Sequence, residues 1–185
     1  MTQPDLVLDF TFPELLAPLI DSAQGRGPIA DTVTAGMWAA VDTLAQAIVM
    51  ETPSNTGILS TAISQAKEVH FGDSVWTGTV SDGGVAYGLP VEFGRKPGGK
   101  ISLKMVDSLE FWIKRKGIQW SRKLKSGKAK PMTANQMAWA IAVHISVHGT
   151  KGAFMFREGL RIATPAIDQI FAGIMDDIAK IWGDE

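Results

Sequence analysis

The spacing of apolar residues predicts four helices in the main part of this 185-residue chain. In residues 31–50, apolar side chains recur at intervals of three and four, which places them on one face of a helix. Two further helices are predicted to begin after Ser102 and Thr133, whose hydroxyls suit N-cap positions. Thr164 and Pro165 are predicted to open the last helix, since a first turn accepts proline. The helix after Thr133 is apolar on two sides, which is typical of a helix that is buried centrally or used at a contact.

Strands are predicted between the first two of these helices. Residues 75–80 read V-W-T-G-T-V, and strands prefer such β-branched and aromatic residues. Residues 81–84 (S-D-G-G) predict a tight hairpin turn, because glycine adopts the positive φ angles that such turns need. The strand that returns over residues 85–93 contains Pro90, which restricts it to a sheet edge. Residues 58–71 predict a strand whose first half is equally compatible with a helix.

These elements predict an α+β fold, with a small antiparallel sheet of about three to four strands, a central β-hairpin and about four packed helices. Residues 30–185 are predicted to form a single domain. Residues 1–29 are predicted to form an N-terminal arm, with an apolar strand in residues 6–10 and a short helix in residues 14–24. The arm docks either on its own domain or on a neighbouring copy, and the pattern favours its own domain.

Charge is unevenly distributed along the chain. Residues 95–130 contain twelve Lys and Arg against two acids, whereas the rest contains six basic residues against seventeen acids. Residues 117–131 predict a mobile basic loop, because Gly, Ser and Lys cannot build a core. Such a segment serves either as a partner or DNA contact or as a solvated surface. The candidate contact residues are Arg95, Lys96, Trp120, Arg122, Lys123, Lys125, Lys128 and Lys130.

The predicted edge strand is the candidate subunit interface, because an edge offers unpaired backbone groups to another chain. Glu92 lies between apolar residues, so its carboxylate must face water or meet a cation. It is predicted to pair with a basic residue of the same chain or of an adjacent subunit. The interface candidates are Tyr87, Pro90, Glu92, Phe93 and Gly94.

No catalytic residue, metal ligand or cofactor site is predicted, and we do not expect an enzyme. The chain lacks cysteine, which excludes disulfides and thiolate chemistry. His144 and His148 share a helix face, but no third ligand accompanies them. The basic Gly-rich stretch 94–100 lacks the Gly-Lys-Ser/Thr ending of a phosphate loop. No basic leader and no apolar run of about 18 residues occurs, so a protein made in the cytoplasm, without membrane contact, is expected.

Three short motifs, in this order, resemble those of one family. Residues 52–59 (T-P-S-N-T-G-I-L) resemble its Pro-x-x-Thr-Gly-x-Leu turn, and residues 86–94 (A-Y-G-L-P-V-E-F-G) resemble its Tyr-Ala-x-x-Val-Glu-Phe-Gly-Thr strand. Residues 149–160 resemble its Gly-x-x-x-Pro-Phe-Leu closing segment. The family comprises the tail-completion, or head–tail joining, proteins of long-tailed siphovirus-type bacteriophages. Here Arg95 replaces the usual Thr, and Ala153 replaces the usual Pro.

The resemblance implies a structural virion protein of the phage neck, assembled in the host cytoplasm, that completes the tail end and joins it to the head. It implies a homo-oligomeric ring, a hexamer in the family. The implied neighbours are a head-side connector or stopper protein, a tail terminator or tail tube protein, and the packaged DNA in the channel. It also implies architectural roles for Gly57, Tyr87, Glu92 and Gly94, and no catalytic residues. The alternative function is a nucleic-acid-binding module that uses residues 95–130.

Overall fold

A computed structural model describes residues 6–11, 27–53, 56–72, 75–123 and 129–183 of the chain. The chain divides into two compact units. The first unit consists of residues 1–92 and 153–185, and the second consists of residues 93–152. In sequence, the second unit is therefore an insertion into the first. The sequence led us to expect one domain over residues 30–185, without a boundary inside it.

The first unit combines a three-stranded sheet with two long helices and two short ones. Its elements are β1 (Leu6–Thr11), α1 (Pro28–Glu51), α2 (Ile58–Gln65), β2 (Lys67–Gly72), β3 (Val75–Val80), α3 (Gly88–Phe93, which ends at the first residue of the second unit) and α6 (Met155–Gly183). The predicted α+β class is confirmed. Helix α1 begins three residues earlier than predicted, at Pro28, where a first turn accepts proline.

The sheet has the order β1–β3–β2, and both pairings are antiparallel. Residues Leu6 and Lys67 both lie opposite Val80, on its two sides. The predicted N-terminal strand therefore exists and pairs within its own chain. The ambiguous segment 58–71 divides into helix α2 and strand β2. The predicted short helix of residues 14–24 lies outside the described residues.

The predicted hairpin between residues 75–80 and 85–93 is wrong. Gly83 and Gly84 have the expected positive φ angles of 63° and 76°, so the turn itself forms. The chain does not return to β3, because β1 and β2 occupy both of its edges. Residues 88–93 form α3 instead, and Pro90 lies in its first turn, where a missing N–H leaves no bond unmade. The hairpin of this sheet is formed by β2 and β3.

Helices α1 and α6 pack closely and run antiparallel. Gly36 of α1 faces Ile174 of α6, and Gly159 of α6 faces Ile48 of α1. Glycine at both contacts lets the helices approach, because a side chain at either position would occupy the space of its partner. The core between the helices and the sheet is made of fully buried apolar side chains, which include Val33, Met37, Val41, Leu44, Ile48, Trp76, Val80 and Met155.

The predicted start of the last helix at Thr164 is also wrong, since α6 runs without a break from Met155 to Gly183. Thr164 does not cap a helix, and its hydroxyl donates to the carbonyl oxygen of Leu160 at 2.7 Å. Pro165 lies inside the helix. Burial of Phe156 and Ala163 before the proline and of Ile167 after it offsets the missing backbone hydrogen bond.

Helix α1 is long and apolar enough to cross a membrane by length and composition, with a hydropathy of 1.3. The sequence analysis expects no such segment. In the structure, 44% of this window is buried within the protein. The central core helix of a globular unit meets the same criterion, and α1 packs on α6, α2, β2 and β3. Its place in the fold is therefore that of a core helix.

The second unit is built on an antiparallel pair of helices. Its elements are β4 (Gly94–Arg95), α4 (Leu103–Lys116), β5 (Ser121–Lys123), β6 (Ala129–Pro131), α5 (Ala134–His148) and β7 (Thr150–Lys151). Both predicted caps are confirmed: Ser102 accepts from the N–H of Met105, and Thr133 forms a capping box with Gln136. Its core is small and contains Val106, Ile113, Met137, Ala138 and Ala142.

The predicted loop 117–131 is partly ordered as a hairpin. Strands β5 and β6 pair antiparallel, with Arg122 opposite Lys130. The N–H of Met132 extends this ladder by donating to the carbonyl oxygen of Trp120 at 2.9 Å. The prediction of a mobile loop is therefore wrong for these flanking residues, because backbone pairing orders a segment that has no apolar core. Residues 124–128 lie outside the described residues.

Candidate interaction surfaces

Glu92 is buried in the first unit, where it caps the N-terminus of α6. Its side chain is only 3% exposed, and its Oε2 accepts from the N–H of Phe156 at 3.0 Å. Its backbone carbonyl oxygen accepts from the N–H of Phe154 at 3.0 Å. The first N–H groups of a helix lack intrahelical partners and favour a negative charge, so α6 stabilises this carboxylate. The prediction that Glu92 pairs with a cation is therefore wrong, and the side chain is not available to a partner.

We expect the Glu92→Ala substitution to destabilise the first unit by about 1–3 kcal/mol, because the N–H of Phe156 loses its acceptor in a buried site. Glu92→Gln should cost less, since its amide oxygen can still accept. Exposed Glu68 on β2 provides the control, and Glu68→Ala should change stability by less than about 0.5 kcal/mol. Urea denaturation of the four proteins measures these differences. Equal midpoints for Glu92→Ala and Glu68→Ala would contradict the capping role.

The other interface candidates differ in exposure. Tyr87 is 41% exposed and Phe93 is 61% exposed, whereas Pro90 is partly buried in α3. Tyr87 belongs to the first unit and Phe93 to the second. Because residues 88–93 are helical, none of these residues belongs to a free strand edge. The hypothesis of an interface at an edge strand is therefore wrong, although two exposed aromatic rings remain in this stretch.

Gly94 has a purely architectural role within the second unit. It pairs with Lys151 in the short β4–β7 ladder, and it has a φ angle of 77°. A Cβ on Gly94 would lie 2.1 Å from the carbonyl oxygen of Thr150. Gly149 is the counterpart, since its φ is 74° and its Cβ would lie 2.1 Å from the carbonyl oxygen of Arg95. The two backbones therefore approach so closely that only glycine fits at either place.

The charge imbalance in the sequence coincides with the division into units. The second unit contains thirteen Lys and Arg against two acids, a balance of +11. The first contains five against seventeen, a balance of −12, which together give the net charge of −1. A basic unit and an acidic unit are thus parts of one chain.

The cations of the basic unit whose side chains the structure describes are all exposed, and most of them form no ion pair. Among the cations whose side chains the structure describes in this unit, only Lys114 forms an ion pair, with Glu110 at 2.6 Å. Arg95, Lys96 and Lys130 are exposed. Trp120 is 48% exposed beside the β5–β6 hairpin. Arg122 and Lys123 lie on β5, while Lys125 and Lys128 fall outside the described residues.

Three cations surround a small recess near the end of α5. The recess is lined by Arg95, Lys96, Gly99, Lys100, Met105, Ile145 and Ser146. Two hydrogen bonds hold Gly98 and Gly99 against α5. The N–H of Gly98 donates to the carbonyl oxygen of Ser146, and the Ser146 hydroxyl donates to the carbonyl oxygen of Gly99. The volume of the recess is about 10 Å³, which has room for a single water molecule and not for a substrate.

Lys114 and Asn135 act on the same carboxylate of the basic unit. The hydrogen bonds that Lys114 and Asn135 donate to Glu110 hold its carboxyl pKa below the usual value. A lowered folded pKa stabilises the unit above the unfolded value of 4.5, and that contribution is lost as pH falls through the folded pKa. Asn135 follows the N-cap of α5, so Glu110 links α4 to the start of α5.

We expect Lys114→Met to raise the pKa of Glu110 towards 4.5, because the largest cause of its lowering is removed. The stability that Glu110 contributes above pH 4.5 should then be smaller, so less stability is lost on acidification. Carboxyl-detected NMR titration of Glu110 measures the pKa directly. Lys104→Met, which removes an exposed cation from the same helix, should leave it unchanged. If both variants shift the pKa equally, the general field of the basic unit is the cause.

An exposed apolar stripe runs along α5, and its residues were not among the candidates named from the sequence. Trp139, Val143 and Val147 are spaced by four residues and are 41%, 48% and 58% exposed. The opposite side of the helix is buried through Met137 and Ala142. The sequence feature that indicated this stripe was the apolar pattern on two sides of the helix, which is compatible either with central burial or with a contact. In the structure only one side is buried, so the other is free for a contact.

A second exposed apolar stripe follows the outer side of α6 in the acidic unit. Met175 and Trp182 are 40% and 41% exposed, and Ala172 and Ala179 complete a stripe spaced by three and four residues. The buried stripe of the same helix contains Ile167, Ile174 and Ile178. Exposed Asp168 precedes the stripe on the same face of the helix, and exposed Asp176 lies beside it. Asp177 lies on the other side of the helix, where it pairs with Lys180. Two acids therefore border this apolar stripe.

The two histidines of α5 lie close to each other. The His144 and His148 rings lie 4.5 Å apart between centroids, on the exposed side of α5. Within the residues that the structure describes, no group of three or more His, Asp or Glu side chains could hold a metal ion.

Comparison with known proteins found no matching family model, no matching curated protein and no matching solved structure.

Proposed function

We propose that this chain is a structural, ring-forming subunit of a bacteriophage neck, which completes the tail end and joins it to the head. The observation that carries the proposal is the division of one chain into a unit of charge +11 and a unit of charge −12. A subunit that presents both signs attracts further copies of itself in a head-to-tail order. Exposed apolar stripes on both units offer surface that can be buried between copies, which stabilises a contact beyond electrostatic attraction.

The motif resemblance supports the same role. Its glycines occupy positions that constrain the backbone: Gly57 has a φ of 78° before α2, and Gly94 and Gly149 fit where a side chain would not. Its Glu92 caps a long helix. Positions selected for architecture suit a protein whose task is to hold a shape within an assembly.

The neighbours in this proposal are a head-side connector or stopper protein and a tail terminator or tail tube protein. The basic segment with Trp120 docks on an acidic neighbour, since an exposed indole is an effective anchor at protein interfaces. Tight binding of DNA by this segment would hinder the movement of DNA through the channel. Neutralising Lys123, Lys125, Lys128, Lys130 and Arg122 should therefore impair assembly more than it impairs retention of packaged DNA.

Immunogold labelling of particles from the encoding phage tests the location. We expect label at the junction between head and tail, and electron microscopy of the purified chain at high concentration should show closed rings. Particles without label at the junction, or a chain that stays monomeric even with tail tube present, would contradict the proposal.

A nucleic-acid-binding module is the second candidate, favoured by the unpaired exposed cations of the basic unit. Such binding would be independent of sequence and would weaken linearly on a logarithmic salt scale. Anisotropy of a labelled random duplex, titrated at several salt concentrations, measures this. Binding by the isolated chain would favour this candidate if the slope of log K against log salt concentration corresponds to the release of several counterions. Formation of rings in the absence of DNA would favour the neck protein.

A further inference from the structure

We propose that the stripe Trp139, Val143 and Val147 of one copy docks on the outer α6 stripe, Ala172, Met175, Ala179 and Trp182, of a second copy. The proposal deepens the ring-forming role and rests on it. Both stripes are exposed in the chain, and each runs along one helix for at least two turns. Helices joined through such stripes bury their apolar side chains in a shared seam.

Charge complementarity identifies the second copy as the occupant. The α5 stripe belongs to the unit of charge +11, and Ile145 and Ser146 near the end of the same helix line the recess that Arg95, Lys96 and Lys100 border. The outer α6 stripe belongs to the unit of charge −12, and the exposed acids Asp168 and Asp176 lie next to it. Pairing the two stripes brings the acidic unit of one copy against the basic unit of the next, and this opposite charge steers and orients association.

The chemistry of the α5 stripe favours a protein over a nucleic acid. Valine side chains neither stack on bases nor bind phosphate, and protein–nucleic acid interfaces are more polar and more basic than this strip. Two valines and a tryptophan gain free energy only when an apolar surface removes them from water. The apolar side chains therefore form the centre of the contact, and the charge of the two units directs their approach.

The two stripes are different surfaces, so the contact is heterologous. Each copy offers one α5 stripe and one outer α6 stripe, and every added copy leaves one of each unfilled. Such contacts close into a ring when the rotation between copies permits, and otherwise continue as a filament.

Two variants, each with a matched control, test the contact. Val143→Asp places a charge in the centre of the α5 stripe, and Ser108→Asp adds the same charge to an exposed position of α4 in the same unit. Met175→Lys disrupts the α6 stripe, and Gln169→Lys adds the same charge at an exposed position about 120° around the helix from Met175. Circular dichroism and thermal melting verify that all four variants fold.

We expect Val143→Asp and Met175→Lys each to weaken self-association at least tenfold, as measured by analytical ultracentrifugation, and the two controls to associate as the native chain does. High salt should weaken association of the native chain. A mixture of the two disrupted variants should form dimers and nothing larger, because each retains the stripe that the other lacks.

The outcomes separate this contact from the ring-forming role. If the native chain associates and Val143→Asp and Met175→Lys associate equally well, self-association stands and this contact is wrong. If each variant is monomeric but their mixture yields no dimer, the two stripes do not face each other, and the proposal is overturned. If the native chain is monomeric at every concentration, even with tail tube present, the ring-forming role fails and this contact fails with it.

Discussion

Gly94→Ala is expected to unfold much of the second unit, with a loss of about 3 kcal/mol or more in the free energy of unfolding. Two effects combine. The φ angle of 77° is unfavourable for any residue with a Cβ, and the new methyl group would lie 2.1 Å from the carbonyl oxygen of Thr150. The atoms it meets belong to the backbone of β7, which cannot move aside as a flexible side chain can.

Gly98→Ala is the matched control for this effect. Gly98 lies four residues later in the same unit and has a φ of 93°, but no atom lies within 4 Å of its Cβ position. The substitution should therefore show backbone strain alone, about 1–2 kcal/mol. Hydrogen exchange measured by mass spectrometry should show faster exchange over residues 94–151 in Gly94→Ala. Equal destabilisation by the two variants would mean that the close approach of β4 and β7 contributes nothing.

Local signals in the sequence correctly predicted two helix caps and one turn. Ser102 and Thr133 cap their helices as expected, because a hydroxyl at an N-cap needs only the N–H groups of the next turn. Gly83 and Gly84 have the positive φ angles expected of a turn. These features depend on residues within four positions of each other, so the sequence contains all the information they require.

Features that depend on distant segments could not be predicted in the same way. The hairpin at residues 75–93 failed because β1, more than sixty residues away, competes for the same edge of β3. Glu92 has its partner at Phe156, sixty-four positions later, and no local pattern indicates that bond. Pro165 lies within a helix because the packing of α6 on α1 outweighs a local preference.

The sequence predicted the composition of the candidate surface on α5, but not which side of the helix is exposed. The basic character of residues 95–130 and the two-sided apolar pattern of α5 were both visible in the sequence. Which side of α5 faces the core depends on its pairing with α4, through Val106 and Ile113. The exposed stripe could therefore be identified only once that pairing was known.

Gly159→Ala is expected to destabilise the first unit by about 1–3 kcal/mol, although alanine is normally the better helix former. Its Cβ would lie 2.8 Å from both the Cα and the N atom of Ile48, so the methyl group meets the α1 backbone itself. Relief requires the two longest helices of the unit to separate, and buried neighbours such as Met155 and Phe156 would lose contact. Thermal melting should show a fall of about 2–4 °C for each kcal/mol.

Two other glycines at the same pair of helices separate the possible causes. Gly173→Ala, on the same helix, meets no atom within 4 Å and should stabilise the protein by about 0.5–1 kcal/mol, because alanine restricts the unfolded chain. At Gly36, the new methyl group would meet the end of the Ile174 side chain, at 2.2 Å from Cδ1, and a change of rotamer can relieve that clash. The expected order of stability is therefore Gly173→Ala, then Gly36→Ala, then Gly159→Ala. If Gly159→Ala melts as high as Gly173→Ala, α1 and α6 do not cross at Ile48, and the packing of the first unit differs from this structure.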